Sequence, residues 1–463
     1  MTPAAPPPPP AIVAERPVAT ASRPDPLLGQ QGFLAQIGWT APAAAGRRPL
    51  VAVLDTGVDA SDPDLRGVVL TGAARSFVEG TAPGADTEGH GTSVAGIIAA
   101  RAGNGVGGAG VAAARILPVT IADAGGRTTP AALVKGLRYA TARGARVINI
   151  SFGGRGYSAA EQSAIDDAVR AGALVVVAAG NDGGSAGGPA YPGAYRQVLT
   201  VGALGPGGRA LALSERGPQV AIAAPGKNIA SIPPRAQPGI AAAGLVRRTG
   251  TSMAAAIVSG AAARIIARHP RWSAQQVRTV LRETARDVPP AGDDLSTGAG
   301  ALDLRAALAA PAPPVEDPEP NDDTALAART PAICIGNAPT VVLGRTGSMS
   351  DPRDGFPVVL AAGESLTVQL RPTGTTGADL DLALWLPGTP AGRRGALFGR
   401  TWLAASSLGP GADERMQVVA PVAGTYTLEV QGLRGEAPYE LTLQHDAQLT
   451  PPGTSGARVD SPQ

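Results

Sequence analysis

Residues 173–181 read ALVVVAAGN. Apolar side chains run without alternation from Ala173 to Ala179, and the stretch closes on Gly180 and Asn181. A strand with one wet face would alternate polar and apolar residues. An unbroken run of this length predicts a strand buried on both faces, as parallel sheets require. It is far too short to cross a membrane as a helix. Strands of the same kind are expected at 49–55 (PLVAVLD), 114–121 (ARILPVTI), 145–152 (ARVINISF) and 197–204 (QVLTVGAL). Between them, 3.6-residue periodicity and small-residue runs predict helices at 91–102, 130–144, 158–172 behind a Ser158 cap, and 273–287, with another led by Ser252. Strands alternating with helices predict an α/β fold, a parallel sheet with helices on both faces. Ligands of such sheets bind beyond the carboxyl ends of the strands. Asp55, Ser151 and Asn181 each stand at such an end, which puts them on one rim.

The remaining organisation follows from changes in composition. Residues 1–24 are rich in Pro and Ala and read as a disordered segment. The α/β domain is expected over 25–309, and a Pro- and acid-rich linker, APAPPVEDPEPNDD, over 310–323. From 324 to 447 the pattern changes to short alternating strands with Gly and Pro turns, such as ESLTVQL and GTYTLEVQGL, which predicts a smaller all-β sandwich. Residues 448–463 read as a flexible tail. No internal repeat is visible.

Composition narrows the function. The chain has 463 residues, 44% of them hydrophobic and 16% charged, with a formal net charge of +2, so no broad electrostatic case for nucleic acid exists. Lys135 and Lys227 are the only lysines, and no dense basic run occurs. Cys334 is the only cysteine, which excludes an intramolecular disulfide and argues against a Cys-rich metal site. The start, MTPAAPPPPP, lacks the basic and apolar regions of a signal peptide, and no membrane span is expected.

Three segments carry the chemistry. In TGTSMAAAIVSG (249–260), Ser252 sits where a loop becomes a helix. Taken alone, a serine there reads as a helix cap. The other reading is a nucleophile whose helix N-terminus offers N–H groups and a positive dipole end to a developing oxyanion. In VAVLDTGVDASDPDL (51–65), Asp55 ends an apolar strand. In EGHGTSVAGIIAA (88–100), His90 lies between two glycines at a helix start. Serine needs a base to take its proton. His90 has the intrinsic pKa for that work, and Asp55 would orient it.

These segments resemble the three signature motifs of the subtilisin-like serine peptidases, the subtilases. The resemblance continues through INISFGG, VVVAAGNDG, YPGAYRQVLTVGA, LSERGP and IAAPG and covers residues 27–310. It implies a subtilisin-like fold and a serine endopeptidase with catalytic Asp55, His90 and Ser252. It implies that Asn181 and the Ser252 backbone N–H form the oxyanion hole. Ser151, Phe152 and Gly153 would pair with an extended substrate. Phe152, Ala178, Ala179, Gly180 and Ala190 would line the pocket for the residue before the scissile bond. Small apolar walls favour an uncharged residue there, while Asp182 would favour a basic one at the rim. No cofactor is implied for the chemistry. A structural calcium is implied at Asp64 and Asn104; a solvated loop is the alternative, because calcium takes about six to eight oxygens and only two side chains can be named.

The chain departs from the family pattern at Ala256, Ile257 and Ser93, where Pro, His and His are usual. The second domain resembles the pre-peptidase C-terminal β-sandwich modules of bacterial secreted peptidases. Its Asp379 and Asp381 read as alternating strand residues before calcium ligands. The family implies a secreted or cell-envelope monomer acting on polypeptides. A narrow-specificity processing protease and a non-catalytic binding protein on the same fold are the alternatives.

Overall fold

A computed structural model describes residues 23–43, 46–86, 88–183, 190–234 and 244–314 of the α/β region. Further on it describes 332–333, 335, 338–347, 353–373, 379–389, 403–408, 413–434 and 436–445. These residues belong to two compact units, Met1–Val315 and Glu316–Gln463. Cys334, the tail expected at 448–463, most of the segment 1–24 and most of the linker expected at 310–323 lie outside the described residues.

In the first unit the strands are β1 (Leu50–Asp55), β2 (Arg75–Ser76), β3 (Arg115–Thr120), β4 (Val147–Ile150), β5 (Leu174–Ala178), β6 (Val198–Leu204), β7 (Val220–Pro225), β8 (Ile229–Ser231) and β9 (Val246–Arg248). The helices are α1 (Gly32–Gln36), α2 (His90–Ala99), α3 (Pro130–Ala142), α4 (Ala159–Arg170), α5 (Thr251–Arg268), α6 (Ala274–Glu283) and α7 (Leu304–Ala309). Seven strands form one parallel sheet in the order β2-β3-β1-β4-β5-β6-β7.

Strand alternation divides the apolar residues between two cores. On β1, Val51 and Val53 pack into a core shared with α2, α5, α6 and α7. Leu50, Ala52 and Leu54 pack into the core on the opposite face, with α3 and α4. Because both faces are covered, the strands are apolar throughout, as the sequence pattern requires. Helix α5 is buried over most of its length, so it carries small apolar residues all round. Truncating Ile257 there to Ala is expected to cost about 2–5 kcal/mol. Side-chain caps start α3 (Thr129 to Ala132 N–H, 3.2 Å) and α4 (Ser158 to Glu161 N–H, 3.4 Å).

The second unit is all-β. Its strands are β10 (Thr340–Gly347), β11 (Arg353–Leu360), β12 (Ser365–Pro372), β13 (Asp379–Trp385), β14 (Leu403–Ser407), β15 (Glu414–Val419), β16 (Gly424–Arg434) and β17 (Glu436–His445). They form two four-stranded antiparallel sheets, β10-β17-β12-β15 and β11-β16-β13-β14. Both sheets contribute to one apolar core, Leu366, Val368 and Leu370 from the first and Leu380, Leu382 and Leu384 from the second. Asp379 and Asp381 share a face of β13. Burial, with Asp379 and Glu414 nearby, pushes Asp381 up to about 6.

Candidate active site

The chain reverses its direction of travel across the sheet at β1. After β1 it passes through β2 and α2 to reach β3 on one side and later returns to β4 on the other. Crevices open at such switch points. Asp55 ends β1 in this crevice and is wholly buried. Its Oδ1 accepts from the Thr56 N–H at 2.8 Å and lies 2.8 Å from His90 Nδ1. An aspartate acceptor places the imidazole proton on Nδ1 and leaves Nε2 as the base. Burial works against protonation of His90, but the charge and hydrogen bond of Asp55 outweigh it and hold the pKa above the ordinary histidine value.

Asp86, absent from the sequence-derived set, positions this pair. Its buried carboxylate accepts from the Gly89 and Thr92 N–H groups at 2.8 Å, from Thr92 Oγ1 at 2.5 Å and from Thr56 Oγ1 at 2.8 Å. It thereby ties the N-terminus of α2 to the end of β1. Nothing in a linear pattern distinguishes it from an acidic residue in a solvated loop.

Ser252 is the second residue of α5, and Gly250 rather than Ser252 occupies the cap position. The Ser252 hydroxyl donates to the Ser151 carbonyl at 3.2 Å. No hydrogen bond joins Ser252 to His90 among the described residues; the Phe152 ring lies edge-on to His90 with centroids 5.7 Å apart. Asn181 Oδ1 accepts from Thr251 N–H at 2.9 Å and Thr251 Oγ1 at 3.0 Å. Only an oxygen can accept from that N–H, so the Asn181 amide NH₂ is left to donate elsewhere. The Ser252 N–H belongs to the first turn of α5, whose N–H groups have no intrahelical partner.

A cleft of about 240 Å³ adjoins Ser252. Ser151, Phe152, Gly153, Ala178, Gly180, Asn181 and Ala190 line it, together with Asp182 at the rim. Ala179 does not: it is fully buried, and its N–H bonds to the Val201 carbonyl at 3.0 Å, within the sheet. Strand alternation puts Ala178 and Ala179 on opposite sides. The cleft also contains Arg155, whose Nη2 lies 3.0 Å from Asp182 Oδ2 and 2.6 Å from Glu215 Oε1. Neither Arg155 nor Glu215 was indicated by sequence, where each reads as a loop charge.

Asp64 and Asn104 are brought together, but not as a calcium cage. Asn104 gives its amide N–H to Asp64 Oδ1 at 2.8 Å, and its own Oδ1 accepts from the Val106 N–H at 2.9 Å. The second Asp64 oxygen accepts from the Gly108 N–H, and Asp25 accepts from the N–H groups of Gly103, Asn104 and Gly105. Burial pushes Asp64 up to about 6. N–H donors already satisfy these oxygens, so the residues present do not fit a six- to eight-oxygen site. No cluster of three or more His, Cys, Asp or Glu residues with metal-holding geometry occurs among the described residues. The departures from the family pattern are absorbed by packing: Ala256 and Ile257 are wholly buried, and Ser93 donates to the Ile232 carbonyl at 3.2 Å.

Residues 46–300 match the family described as the subtilase family. Subtilisin DY of Bacillus licheniformis is 38% identical over 265 residues, which is 57% of this chain and 91% of that protein. The cell wall-associated protease of Bacillus subtilis is 37% identical over 240 residues, 52% of this chain but only 26% of that protein. Among solved structures, sphericase superposes with a TM-score of 0.52 at 30% identity, covering 60% of this chain and 100% of that one.

Proposed function

The chain belongs to the subtilase family and is a subtilisin-like serine endopeptidase, and on that premise we propose that Asp55, His90 and Ser252 are its catalytic triad. Ser252 Oγ turns from the Ser151 carbonyl to His90 Nε2, gives up its proton and attacks the scissile carbonyl carbon. The carbonyl oxygen becomes an oxyanion held by Asn181 Nδ2 and the Ser252 N–H. His90 then protonates the leaving amine as the C–N bond breaks, and Asp55 stabilises the imidazolium meanwhile. Water, activated by the same histidine, hydrolyses the acyl-enzyme. The observation that carries this reading is the 2.8 Å contact of His90 Nδ1 with buried Asp55, on the rim that also carries Ser252.

Fluorophosphonate labelling with peptide mapping tests it. Label is expected on Ser252 and is expected to vanish in Ser252→Ala. Folded wild-type protein that takes no label would overturn the assignment.

The substrates are polypeptides, bound extended along Ser151–Gly153, with an uncharged side chain before the scissile bond as the expected preference. A monomer working in a secreted or cell-envelope setting is the reading the resemblance supports. Among the described residues no helix is long and apolar enough to cross a membrane. The chemistry needs no cofactor. The 103–108 loop acts as a hydrogen-bonded clasp on Asp25 and Asp64, so chelation with EDTA is expected to leave the melting temperature unchanged. A fall of several degrees that calcium restores would refute the clasp.

A further inference from the structure

Glu215 is a charge in an unusual place. Only 2% of its side chain is exposed, and it stands directly behind the cleft wall. Its N–H donates to the Gly180 carbonyl at 3.0 Å, and its Oε2 accepts from the Ala190 N–H at 3.2 Å. Gly180 has φ +117°, and a Cβ there would lie 2.7 Å from Glu215 Oε2. Glycine is therefore what brings the carboxylate up to the cleft surface. The other oxygen, Oε1, has no in-line hydrogen-bond donor among the described residues; its neighbour is the Arg155 guanidinium, 2.6 Å away.

Arg155 comes from the opposite wall. It lies between Gly154 and Gly156 in the loop after β4, with 34% of its side chain exposed. It also contacts Asp182, the carboxylate at the rim. Two carboxylates and one guanidinium leave the cleft net negative. A buried carboxylate is strongly destabilised unless a cation stays beside it. An uncharged substrate side chain therefore cannot displace Arg155, which remains as a polar floor. Only a side chain bringing its own positive charge can take Arg155's place.

We propose that Arg155 and Glu215 form a built-in charge lock that sets specificity for the residue before the scissile bond. Arg155 occupies the position that a substrate lysine or arginine would take, and removing it turns the cleft into a site for extended peptides with a basic residue there. This rests on the protease reading given above, and the test separates the two.

Peptides identical except for Lys, Leu or Glu before the scissile bond are compared for kcat/KM. Binding of the same peptides is compared by fluorescence anisotropy in a Ser252→Ala background, which needs no chemistry. Arg155→Ala should raise the Lys-to-Leu ratio about 10²-fold in both assays, because the substrate cation replaces the lost partner of a buried charge. Arg155→Ala combined with Glu215→Gln should abolish that rise, and Arg155→Lys should keep the wild-type ratio. Glu215→Gln alone leaves Arg155 held only by Asp182 at the rim and should raise the Glu-to-Leu ratio about tenfold. An unchanged Lys-to-Leu ratio in Arg155→Ala, or an equal rise in the double variant, overturns the charge lock. If no variant cleaves any peptide but the binding ratios shift as stated, the lock stands and the protease reading fails. Should Arg155→Ala not fold, Glu215→Gln decides alone, and no gain for Glu peptides overturns the proposal.

Discussion

Gly91→Ala adds one methyl group where the site has no room for it. Gly91 is the second residue of α2, directly after His90. A Cβ built there would lie 2.1 Å from the Gly57 carbonyl oxygen, 2.9 Å from Asp55 Cβ and 3.0 Å from Asp55 Oδ1. A carbon approaches a carbonyl oxygen to about 3.3 Å, so the two backbones must separate by roughly 1.2 Å. The nearest obstacle is backbone, so no rotamer change relieves it. Asp55 belongs to a strand paired on both sides, β3 and β4, so the first turn of α2 yields and carries His90 with it. The His90–Asp55 contact of 2.8 Å then opens beyond hydrogen-bond range. A misplacement of this size is expected to lower kcat/KM by about 10²-fold, with about 1–3 kcal/mol of lost stability from overpacking. Gly96→Ala is the control. Its Cβ would meet Ile232 Cγ1 at 2.4 Å and Ser231 Oγ at 2.7 Å, away from the triad. It should destabilise to a similar degree yet leave kcat per folded molecule intact. The assay is kcat/KM on a peptide ester beside thermal melts of both variants. A folded Gly91→Ala enzyme within twofold of wild type would refute the claim that close packing of α2 on β1 sets the Asp–His geometry.

The pKa of His90 is held above about 6.5, the ordinary value. His90 must be neutral to accept the Ser252 proton, so kcat/KM should rise with pH through an inflection above that value. Asp55→Asn should move the inflection down and lower kcat by about 10⁴; an unmoved inflection would show that Asp55 does not hold the imidazolium. Because the folded-state pKa exceeds the unfolded one, the Asp55–His90 pair adds stability below about pH 6.5 and loses it as pH rises through the folded value, so acid inactivation should precede acid unfolding in a paired activity and melting series. Asn181→Ala should cut kcat by about 10²–10³ with little change in KM, a magnitude established on subtilisin itself. An equal loss in KM instead would make Asn181 a ground-state binding residue.

The unbroken apolar runs at 49–55 and 173–181 were enough to foresee a parallel sheet covered on both faces. Strand period and burial are local properties of consecutive residues, so they are written in the chain. The same reasoning put Asp55, Ser151 and Asn181 at strand ends, and glycines around His90 marked a close approach. Ala179 turns away from the cleft because adjacent positions near a strand end face opposite sides, and composition alone does not say which faces the cleft. Ser252 shows the limit more sharply. Its place at a helix start was legible, but that Gly250 takes the cap and leaves its hydroxyl on the Ser151 carbonyl was not.

Asp86 holding Thr56 across 30 residues, and Arg155 reaching Glu215 across the cleft, left no periodic trace. Their meaning depends on which backbone lies beside them and on the loss of water around a carboxylate, and only the folded chain decides either. The sequence by itself determined the α/β sheet, the rim and the chemical kinds of residue on it. The tertiary structure alone decided which charges are buried and paired there, because desolvation and pairing are properties of neighbours in space, not of neighbours along the chain.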